Sequence, residues 1–470
     1  MGSKGKKILP THVSRRDVLK AAGYATAAGM IGSFLPGVSL AGKKKPNIVF
    51  ILSDDHRFDH LGVTGHPWIK TPNLDRLAKE GVRFDNAFCT TSLCSPSRAS
   101  FLTGQYAHNH GVINNLEQWN NQNVTVLEEL KKTGYKTGFI GKWHMPGPLP
   151  KLRGVDRFIS FTHKTGQGAH FDCPLVIDGK ETQRKGKYLA KDLTDFALDF
   201  IRKEKEEPFC LYLAHKAPHG PFKPPKKMAD LYKDEPIDNL PKAAQAKYSG
   251  MVNGEIYGGM LWNVEKKYKK YCRLITSLDE QIGRVLDELD SLGLAEDTIV
   301  IYSTDNGYLL GDNGHFDKRW AYDPSLRIPF IVRYPARIKT PGRVSSEMVL
   351  NIDLAPTLLN MTGQNIPGFM DGKSFLPMLE NRNQPLRESF HYEFFVDFPP
   401  YLVPDIDAVR TRNYLYITYN NSRMKPELYN VVKDPYSRNN LMGTPGASRV
   451  VPGLKTRLDA YVKEKRHAAN

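Results

Sequence analysis

The stretch PNIVFILSDD, residues 46–55, indicates the class of fold that the chain adopts. Its apolar residues are continuous instead of alternating with polar ones, which is typical of a strand buried on both faces of a parallel sheet. Ser53, Asp54 and Asp55 end this strand, and Thr71-Pro72 then opens a helix that closes at Gly81. A buried strand followed by a helix is the unit from which parallel sheets are built, so an α/β fold is predicted.

The same alternation of strand and helix continues along the chain and defines a large domain, residues 42–380. We predict a doubly wound α/β core, in which a large mixed, mostly parallel sheet is sandwiched by helices. The further strands are predicted at 136–140, 209–213, 298–302 and 327–333, and the helices near 126–132, 187–205 and 264–292.

Shorter strand-like segments follow after about residue 381. They lie at 391–395, 409–419 and 428–432, and a terminal helix is predicted near 454–465. We therefore predict a smaller C-terminal α+β subdomain, residues 381–470, on a short antiparallel sheet.

The N-terminus resembles an export signal. Arg15-Arg16 precedes an apolar run rich in alanine and glycine at residues 21–40, as in a twin-arginine signal peptide. A membrane anchor is the alternative. Pro36, the glycines of the run and the small-residue site Ser39-Leu40-Ala41 favour cleavage near Ala41 over a stable membrane span. We expect residues 1–41 to be a signal peptide and the mature protein to be periplasmic or secreted.

The chain is strongly basic, with a formal net charge of +16 over 470 residues. Residues 1–41 hold six positive residues and one negative residue, so the mature chain keeps +11 of that charge. A charge of this size favours an anionic partner such as nucleic acid, an acidic membrane surface or a polyanionic glycan. No sequence motif supports nucleic acid as the partner.

Five cysteines are too few for a disulfide scaffold, and none lies in a CxxC pair. Four of them, Cys89, Cys173, Cys210 and Cys272, are predicted to pack in the core or to form a local bridge.

Cys94 differs because of the residues that follow it, CSPSRASFLTG at 94–104. Ser95 fits a helix cap, Pro96 the first helical position and Gly104 the end of the helix. Cys94 is then expected in the loop before a helix N-terminus, where a thiol pKa is lowered and anions are attracted. A buried structural cysteine would fit the same pattern.

Oxygen ligands follow two of the predicted strands. Asp54 and Asp55 end the first strand, and Asp305 and Asn306 follow the strand at 298–302. Ligands collect beyond the carboxyl ends of parallel strands, and hard oxygen donors suit calcium or magnesium better than zinc. One such aspartate alone would more often cap a turn, but four donors together predict a metal site.

Cations and imidazoles are expected at the same edge of the sheet. The sequence GKWH contains Lys142 and His144, APHGPF contains His219, and GHFDKRW contains Lys318. Together with Arg98, these residues predict a pocket for a multiply charged oxyanion beside a divalent cation.

These motifs resemble those of the formylglycine-dependent (type I) sulfatases of the alkaline phosphatase superfamily. The resemblance covers most of the chain after the signal and includes NIVFILSDD, GYKTGFIGKWH, APHGPF, STDNG, ELYNVVKDP and the specific signature C-x-P-S-R-x-x-x-L-T-G. It implies that a formylglycine-generating maturation enzyme oxidises Cys94 to formylglycine (3-oxoalanine). It also implies one calcium ion, held by residue 94 together with Asp54, Asp55, Asp305 and Asn306.

The resemblance also implies roles for the other residues. Hydrated formylglycine 94 would attack sulfur, with its charge stabilised by the metal and Arg98. His219, helped by Lys318, would protonate the leaving oxygen. His144, assisted by Lys142, would take a proton from the second hydroxyl, so that sulfate is expelled and the aldehyde is regenerated.

The segments YAHNHGVINN, MVLNIDLAPTLLNMTG and DGKSFLPML are most similar to N-acetylglucosamine-6-sulfatases and related carbohydrate sulfatases. A sulfated carbohydrate is therefore the expected substrate. An arylsulfatase, a phosphate or phosphonate monoester hydrolase and a noncatalytic glycan-binding protein are the alternatives. The oligomeric state stays open.

Several further residues have two interpretations. Trp119, Trp143 and Trp320 would stack on sugar rings or belong to the core. The segment with His108, His110, Asn114 and Asn115 would approach the substrate or serve packing and loop hydrogen bonds. Tyr322-Asp323-Pro324-Ser325 replaces the Tyr-Glu-Glu-Ser of many family members, which we interpret as a loop variation without a role in the mechanism.

Overall fold

The structure is a computed structural model that describes residues 45–161, 168–237, 264–381, 385–397, 403–420 and 422–468. The predicted signal peptide, residues 1–41, lies outside the described residues, whereas the described residues from Lys45 onward form one compact unit. The subdomain boundary at residues 380 and 381 stays a prediction. No helix in the described part of the chain is long and apolar enough to cross a membrane.

The secondary structure alternates between strands and helices in the first two thirds of the chain. The strands are β1 Asn47–Asp54, β2 Val82–Phe88, β3 Lys136–Gly141, β4 Arg157–Ser160, β5 Leu175–Ile177, β6 Lys180–Thr182, β7 Phe209–Pro218, β8 Thr298–Thr304, β9 Leu309–Leu310, β10 Phe316–Asp317, β11 Phe330–Arg333, β12 Arg343–Leu350, β13 Ser389–Phe394, β14 Asp405–Thr411, β15 Tyr414–Asn420 and β16 Glu427–Asn430. The helices are α1 Pro72–Lys79, α2 Cys94–Thr103, α3 Ala107–His110, α4 Val126–Lys132, α5 Leu189–Glu204, α6 Val264–Ser291, α7 Asp323–Leu326, α8 Leu354–Met361, α9 Leu376–Leu379 and α10 Ala447–Ala468.

Ten strands form one mixed sheet in the order β12-β2-β11-β8-β1-β7-β3-β4-β5-β6. Strand β1 lies in the middle of the sheet and pairs in parallel with β7 and β8, so that Leu52 is opposite Ala214 and Ser53 is opposite Thr304. Strand β11 runs antiparallel to both β8 and β2. The predicted mixed α/β sheet is confirmed, and the carboxyl ends of β1, β7 and β8 meet at one edge.

Both faces of this sheet are covered by apolar layers. Along β1, Ile48, Phe50 and Leu52 belong to one buried cluster, and Val49 and Ile51 belong to the other. Because side chains of a strand alternate between its faces, a strand between two apolar layers needs a continuous apolar run. This explains the pattern of residues 46–52.

A separate antiparallel sheet follows, in the order β13-β14-β15-β16, as predicted for the C-terminal segment. The single strand expected at 409–419 is wrong, because the chain turns between β14 and β15, whose residues Arg410 and Leu415 pair in antiparallel register. Helix α10 packs on this sheet through Leu454 and Leu458. Helix α10 begins earlier than the predicted residue 454.

Candidate active site

Helix α2 begins at Cys94 itself, and Leu93 is the extended residue before it. The expectation that Cys94 lies in the preceding loop, with Ser95 as the cap, is therefore wrong. Ser95 Oγ donates instead to the carbonyl of His144 at 2.7 Å, and its backbone N–H donates to Asn115 Oδ1 at 3.0 Å. Every residue of α2 is buried. The helix ends at Gly104, whose φ of 72° is the left-handed conformation that favours glycine.

The environment of Cys94 does not activate its thiol. Burial raises the pKa of Cys94 to about 12, although the charges of Lys142 and Lys318 act in the opposite direction. The expectation of a lowered thiol pKa is wrong, because desolvation exceeds the effect of the helix N-terminus and the lysines. The thiol lies 3.7 Å from Asp54 Oδ1 and is protonated at neutral pH.

The four predicted oxygen donors converge at the ends of β1 and β8. Asp305 Oδ1 accepts from the backbone N–H groups of Asp55 at 3.1 Å and Asn306 at 2.8 Å. The Asn306 side-chain amide donates to Asp55 Oδ1 at 2.7 Å. None of these side chains, nor that of Asp54, is more than marginally exposed. Three buried carboxylates thus lie close together.

This arrangement fits a divalent cation. Burial, reinforced by Asp54 and Asp305, raises the pKa of Asp55 to about 7, although Lys318 lowers it. Among the described residues, Asn306 Oδ1 is buried and has no hydrogen-bond partner. Donor atoms of Asp54, Asp55, Cys94 and His219 lie within 4.8 Å of one another. A hard cation would bind these oxygens and remove the repulsion among the carboxylates.

Each carboxylate also lies next to a lysine or arginine side chain, and Asp54 has two such partners, since Arg98 lies 3.8 Å from its Oδ2 in addition to Lys142. Lys142 Nζ lies 2.5 Å from Asp54 Oδ2, and Lys318 Nζ lies 2.6 Å from Asp55 Oδ1. The guanidinium of Arg98 contacts Asp305 Oδ2 at 2.8 Å. The structure therefore brings together the three cations that the sequence assigns to an oxyanion pocket.

The charges around Asp54 keep it ionised. Burial alone would raise its pKa, but the charges of Lys142, Arg98 and Lys318 hold the pKa of Asp54 well below its usual range. The site thus contains a carboxylate that stays charged beside one, Asp55, that titrates near neutrality. The two side chains differ because Asp54 has the stronger set of nearby cations.

Both predicted histidines lie at this edge of the sheet. His219 Nε2 is 3.6 Å from Asp55 Oδ2, and its side chain is 16% exposed. His144 lies after β3 with a φ of 61° and is buried. Burial lowers the pKa of both imidazoles, so in the ligand-free site both rings are neutral at pH 7.

The sequence did not predict several residues that support this site through hydrogen bonds to Asp55 and to the segment of His219. The hydroxyl of Tyr271, on α6, donates to the backbone carbonyl of Asp55 at 2.6 Å. Lys216 and His170 both contact the segment of His219. Lys216 had a signal, since a lysine inside the otherwise apolar strand FCLYLAHKAP is unusual. Tyr271 and His170 had none.

The residues with two interpretations have structural contacts. Trp143 and Trp320 are buried in the main core, and Trp119 packs against Trp143 with ring centroids 5.3 Å apart. In the same segment, His108 binds Glu393, His110 binds Ser100 and Asn114 binds the carbonyl of Val396. Asn115 reaches the neighbourhood of residue 94 through Ser95.

The five cysteines are free and buried, so the four outside the site pack in the core as predicted and form no local bridge. Cys272 lies close to His60 and His66, a set that resembles a metal site. His66, however, accepts two backbone N–H bonds at Nδ1, and its Nε2 contacts Tyr268 Oη at 3.1 Å. Because both ring nitrogens of His66 are engaged, this histidine has no free nitrogen for a metal ion.

Comparison with known proteins agrees with this geometry. The sulfatase family model matches residues 46–364, and a model described as N-sulphoglucosamine sulphohydrolase, C-terminal, matches residues 311–464. The chain is 30% identical to the N-acetylglucosamine-6-O-sulfatase of Bacteroides thetaiotaomicron, over 85% of this chain and 83% of that protein. It is 32% identical to an ulvan-active sulfatase of Formosa agariphila, over 90% of this chain and 81% of that protein.

A solved structure described as a complex with its substrate D-glucosamine-2-N,6-O-disulfate is similar as well. It superimposes with a TM-score of 0.79 at 29% identity and covers 90% of this chain and 99% of its own. The family match, the relatives and the shared fold agree. This chain therefore belongs to the sulfatase family and is a sulfuric ester hydrolase.

Proposed function

We propose that the protein hydrolyses sulfate monoesters on a sulfated carbohydrate, with formylglycine made from Cys94 and one bound Ca²⁺. One observation carries this proposal. Cys94 lies against Asp54 among three carboxylates and three cations, yet the pKa of its thiol is about 12. A thiol that stays protonated is a poor nucleophile, so the position is better suited to a residue that is oxidised before it acts.

The metal ligands are proposed from the donor set. Asp54, Asp55, Asp305 and Asn306 would hold Ca²⁺ together with residue 94, and the free Oδ1 of Asn306 supports this assignment. When bound, the ion supplies positive charge next to a sulfate oxygen and the nucleophile. Formylglycine supplies, as its hydrate, one hydroxyl that attacks sulfur and a second whose deprotonation releases sulfate.

Three cations are proposed to bind the sulfate group. Lys142, Lys318 and the guanidinium of Arg98 are buried and already oriented by carboxylates. Fixed positive groups in a buried site stabilise the charge of a trigonal bipyramidal sulfuryl group without the cost of reorientation. This would favour the transition state over the bound ester.

The two histidines are proposed to move protons. Nε2 of His219 faces Asp55 at the open side of the site, so it is placed to protonate the leaving oxygen. His144 contacts α2 through the bond from Ser95 to its carbonyl, and the charges of Lys142 and Asp54 act on its imidazole, which supports a role as the base for the second hydroxyl. Lys318 would assist His219 and Lys142 would assist His144 by binding the oxygen atoms with which these histidines exchange protons.

The substrate class is proposed from the relatives and the charge. The similar proteins are named for N-acetylglucosamine 6-sulfate and ulvan, and the similar structure holds a sulfated glucosamine. The net charge of +16 suits a polyanionic glycan. N-acetylglucosamine 6-sulfate at the end of a glycan is thus the first compound to test. Export by the N-terminal signal would place the enzyme where such glycans are met.

The first test is mass spectrometry of the tryptic peptide 84–98 from active protein. This peptide contains both Cys89 and Cys94, so fragmentation must assign the change to residue 94. Conversion of a thiol to an aldehyde lowers the mass by about 18 Da. Active protein with unmodified Cys94 would overturn the formylglycine proposal.

The second test is turnover of four compounds by the matured enzyme. They are N-acetylglucosamine 6-sulfate, a sulfated polysaccharide, 4-nitrophenyl sulfate and a phosphonate monoester. We expect the highest kcat/KM for a sulfated carbohydrate. A higher kcat/KM for the aryl sulfate or for the phosphonate would instead make the protein an arylsulfatase or a phosphonate hydrolase.

A further inference from the structure

Lys216 is a buried lysine to which the proposed reaction gives no role. It lies near the carboxyl end of β7, and its side chain is 1% exposed. Among the described residues its ammonium forms an ion pair with no carboxylate, but contacts Gly220 and His219. Burying an ammonium in this way is costly, and burial lowers the pKa of Lys216 to about 7. We therefore expect the contacts of Lys216 with Gly220 and His219 to have a functional role.

Those contacts determine which nitrogen of His219 carries a proton. Nδ1 of His219 lies 2.6 Å from the carbonyl oxygen of Gly220. Because a carbonyl oxygen only accepts hydrogen bonds, Nδ1 must be the donor. Nε2 is then the nitrogen that faces Asp55 Oδ2, 3.6 Å away.

Lys216 holds this carbonyl group and the loop around it. Its Nζ donates to Gly220 O at 2.9 Å and lies 3.4 Å from His219 Nδ1. The backbone N–H of His219 donates to the carbonyl of Lys216 at 2.9 Å. From the other side, His170 Nε2 donates to the carbonyl of His219 at 2.8 Å. The imidazole is thus attached to a loop that Lys216 fixes at both ends.

We propose that Lys216 is a positioning residue, which holds the Gly220 carbonyl so that His219 keeps its proton on Nδ1 and directs Nε2 at the leaving oxygen. This inference rests on the proposed function. His219, which is neutral in the ligand-free site, takes up a second proton from solvent on Nε2 when the anionic ester binds. As the sulfur–oxygen bond breaks, this proton passes from Nε2 of the imidazolium to the leaving oxygen, and the alcohol departs neutral. The ring that remains is neutral with its proton on Nδ1, which is the tautomer that Gly220 stabilises.

Kinetics with two leaving groups tests this role. A sugar alcohol is a poor leaving group and needs the proton, whereas 4-nitrophenolate leaves without it. In Lys216→Met we expect kcat for N-acetylglucosamine 6-sulfate to fall by about 30-fold or more, and kcat for 4-nitrophenyl sulfate by less than about 3-fold. KM should change little for both. The matched control is Lys223→Met, which removes an exposed lysine seven residues away and should leave both substrates unaffected.

Equal losses for both substrates would show that Lys216 only supports the fold, and no loss would show that it has no role. If Lys216→Met does not fold, Lys216→Gln, which retains an N–H donor, is measured by the same criterion. In that variant the sugar sulfate should again be the more affected substrate.

The tautomer of His219 can be measured directly, without an activity assay. Nitrogen-15 shifts of the histidine rings, with His219 assigned by His219→Gln, should show Nδ1–H in the wild-type protein and a mixture of tautomers in Lys216→Met. A wild-type ring with its proton on Nε2 would overturn the inference. Wild-type protein that hydrolyses no sulfate ester would instead reject the proposed function, and the two failures are therefore distinguishable.

Discussion

Nζ of Lys142 lies 2.5 Å from Oδ2 of Asp54, and neither side chain is exposed to solvent. The same carboxylate is 3.7 Å from the thiol of Cys94. Burial raises the pKa of Asp54, and the charge of Lys142 lowers it. Lys142 is therefore part of the reason that Asp54 stays ionised in a buried position. Because the two charges depend on each other, removing one of them should be felt in the stability of the protein as well as in its activity.

Lys142→Met should lower the free energy of unfolding by about 3 kcal/mol in the presence of EDTA, because it leaves a buried carboxylate without its main partner. Added Ca²⁺ should reduce this loss, since the ion would supply the missing charge. Urea denaturation measures both values. Lys131→Met is the control, since it breaks the exposed pair of Lys131 with Asp156 and should cost at most about 1 kcal/mol. Equal losses in the two variants would contradict the role of burial.

Cys94→Ala should lower kcat/KM by at least about 1,000-fold, because the proposed nucleophile can no longer be formed. Its stability should fall by only about 1 kcal/mol, the effect of removing one small buried group. Cys210→Ala is a matched control, since Cys210 is also buried but lies at the opposite end of β7 from the site. It should lose similar stability and keep its activity. Substantial activity in Cys94→Ala would exclude the proposed mechanism.

Ca²⁺ should stabilise the folded protein, since its proposed ligands converge only after folding. At a free concentration of 100 times its Kd, the gain is about 2.7 kcal/mol. In Asn306→Ala we expect Kd to rise about tenfold, which removes about 1.4 kcal/mol of that gain at the same concentration. Calorimetric titration and thermal melting check these values. Asn86→Ala, whose side chain contacts an exposed backbone carbonyl, should bind Ca²⁺ as the wild type does.

The contribution of His108 to stability should depend on pH. Its Nδ1 contacts Glu393 Oε2 at 2.8 Å, and although burial lowers the pKa of His108, the hydrogen bond and charge of Glu393 raise it above its usual value. Asp371 acts in the same direction and Lys465 against it. A raised pKa in the folded state stabilises the protein fully below the unfolded value of about 6.5. This stability is lost as pH rises through the folded pKa.

His108→Gln should therefore cost about 1 to 3 kcal/mol at pH 6 and less at pH 9. Glu393 stays ionised at both values, since its burial, which raises the pKa, is outweighed by the hydrogen bond and charge of His108 together with the charge of Lys465, and the pKa of Glu393 is lowered. Urea denaturation of both proteins at the two pH values gives the difference. The same cost at pH 6 and pH 9 would show that the pair contributes no charge-dependent stability.

The sequence predicts the parts of this molecule that follow from strong local patterns. The run IVFIL in β1 predicts a central strand, and carboxylates at the ends of β1 and β8 predict which donors meet. Strand β12, RVSSEMVL, has no such pattern, because it lies at the edge of the sheet and is exposed at several positions. It pairs with β2 by tertiary contact.

The start of α2 and the tautomer of His219 could not be predicted from the sequence, for a similar reason. Both depend on partners that are distant in sequence or on an exact carbonyl direction. Ser95 looks like a cap, but its hydroxyl binds His144, which is 49 residues away. Lys216 stands out as a lysine within the apolar strand β7, but its contacts with His219 and Gly220 are known only from the structure.

The burial of α2 has a consequence for how the protein is made. Residues 94–98 are closed off by the core and by the ends of β1 and β8, so another enzyme cannot reach Cys94 in the folded chain. A maturation enzyme would have to meet this segment while the chain is still unfolded. The fraction of protein that carries formylglycine would then depend on the rate of modification relative to the rate of folding. Slower synthesis or a destabilised core should therefore raise this fraction.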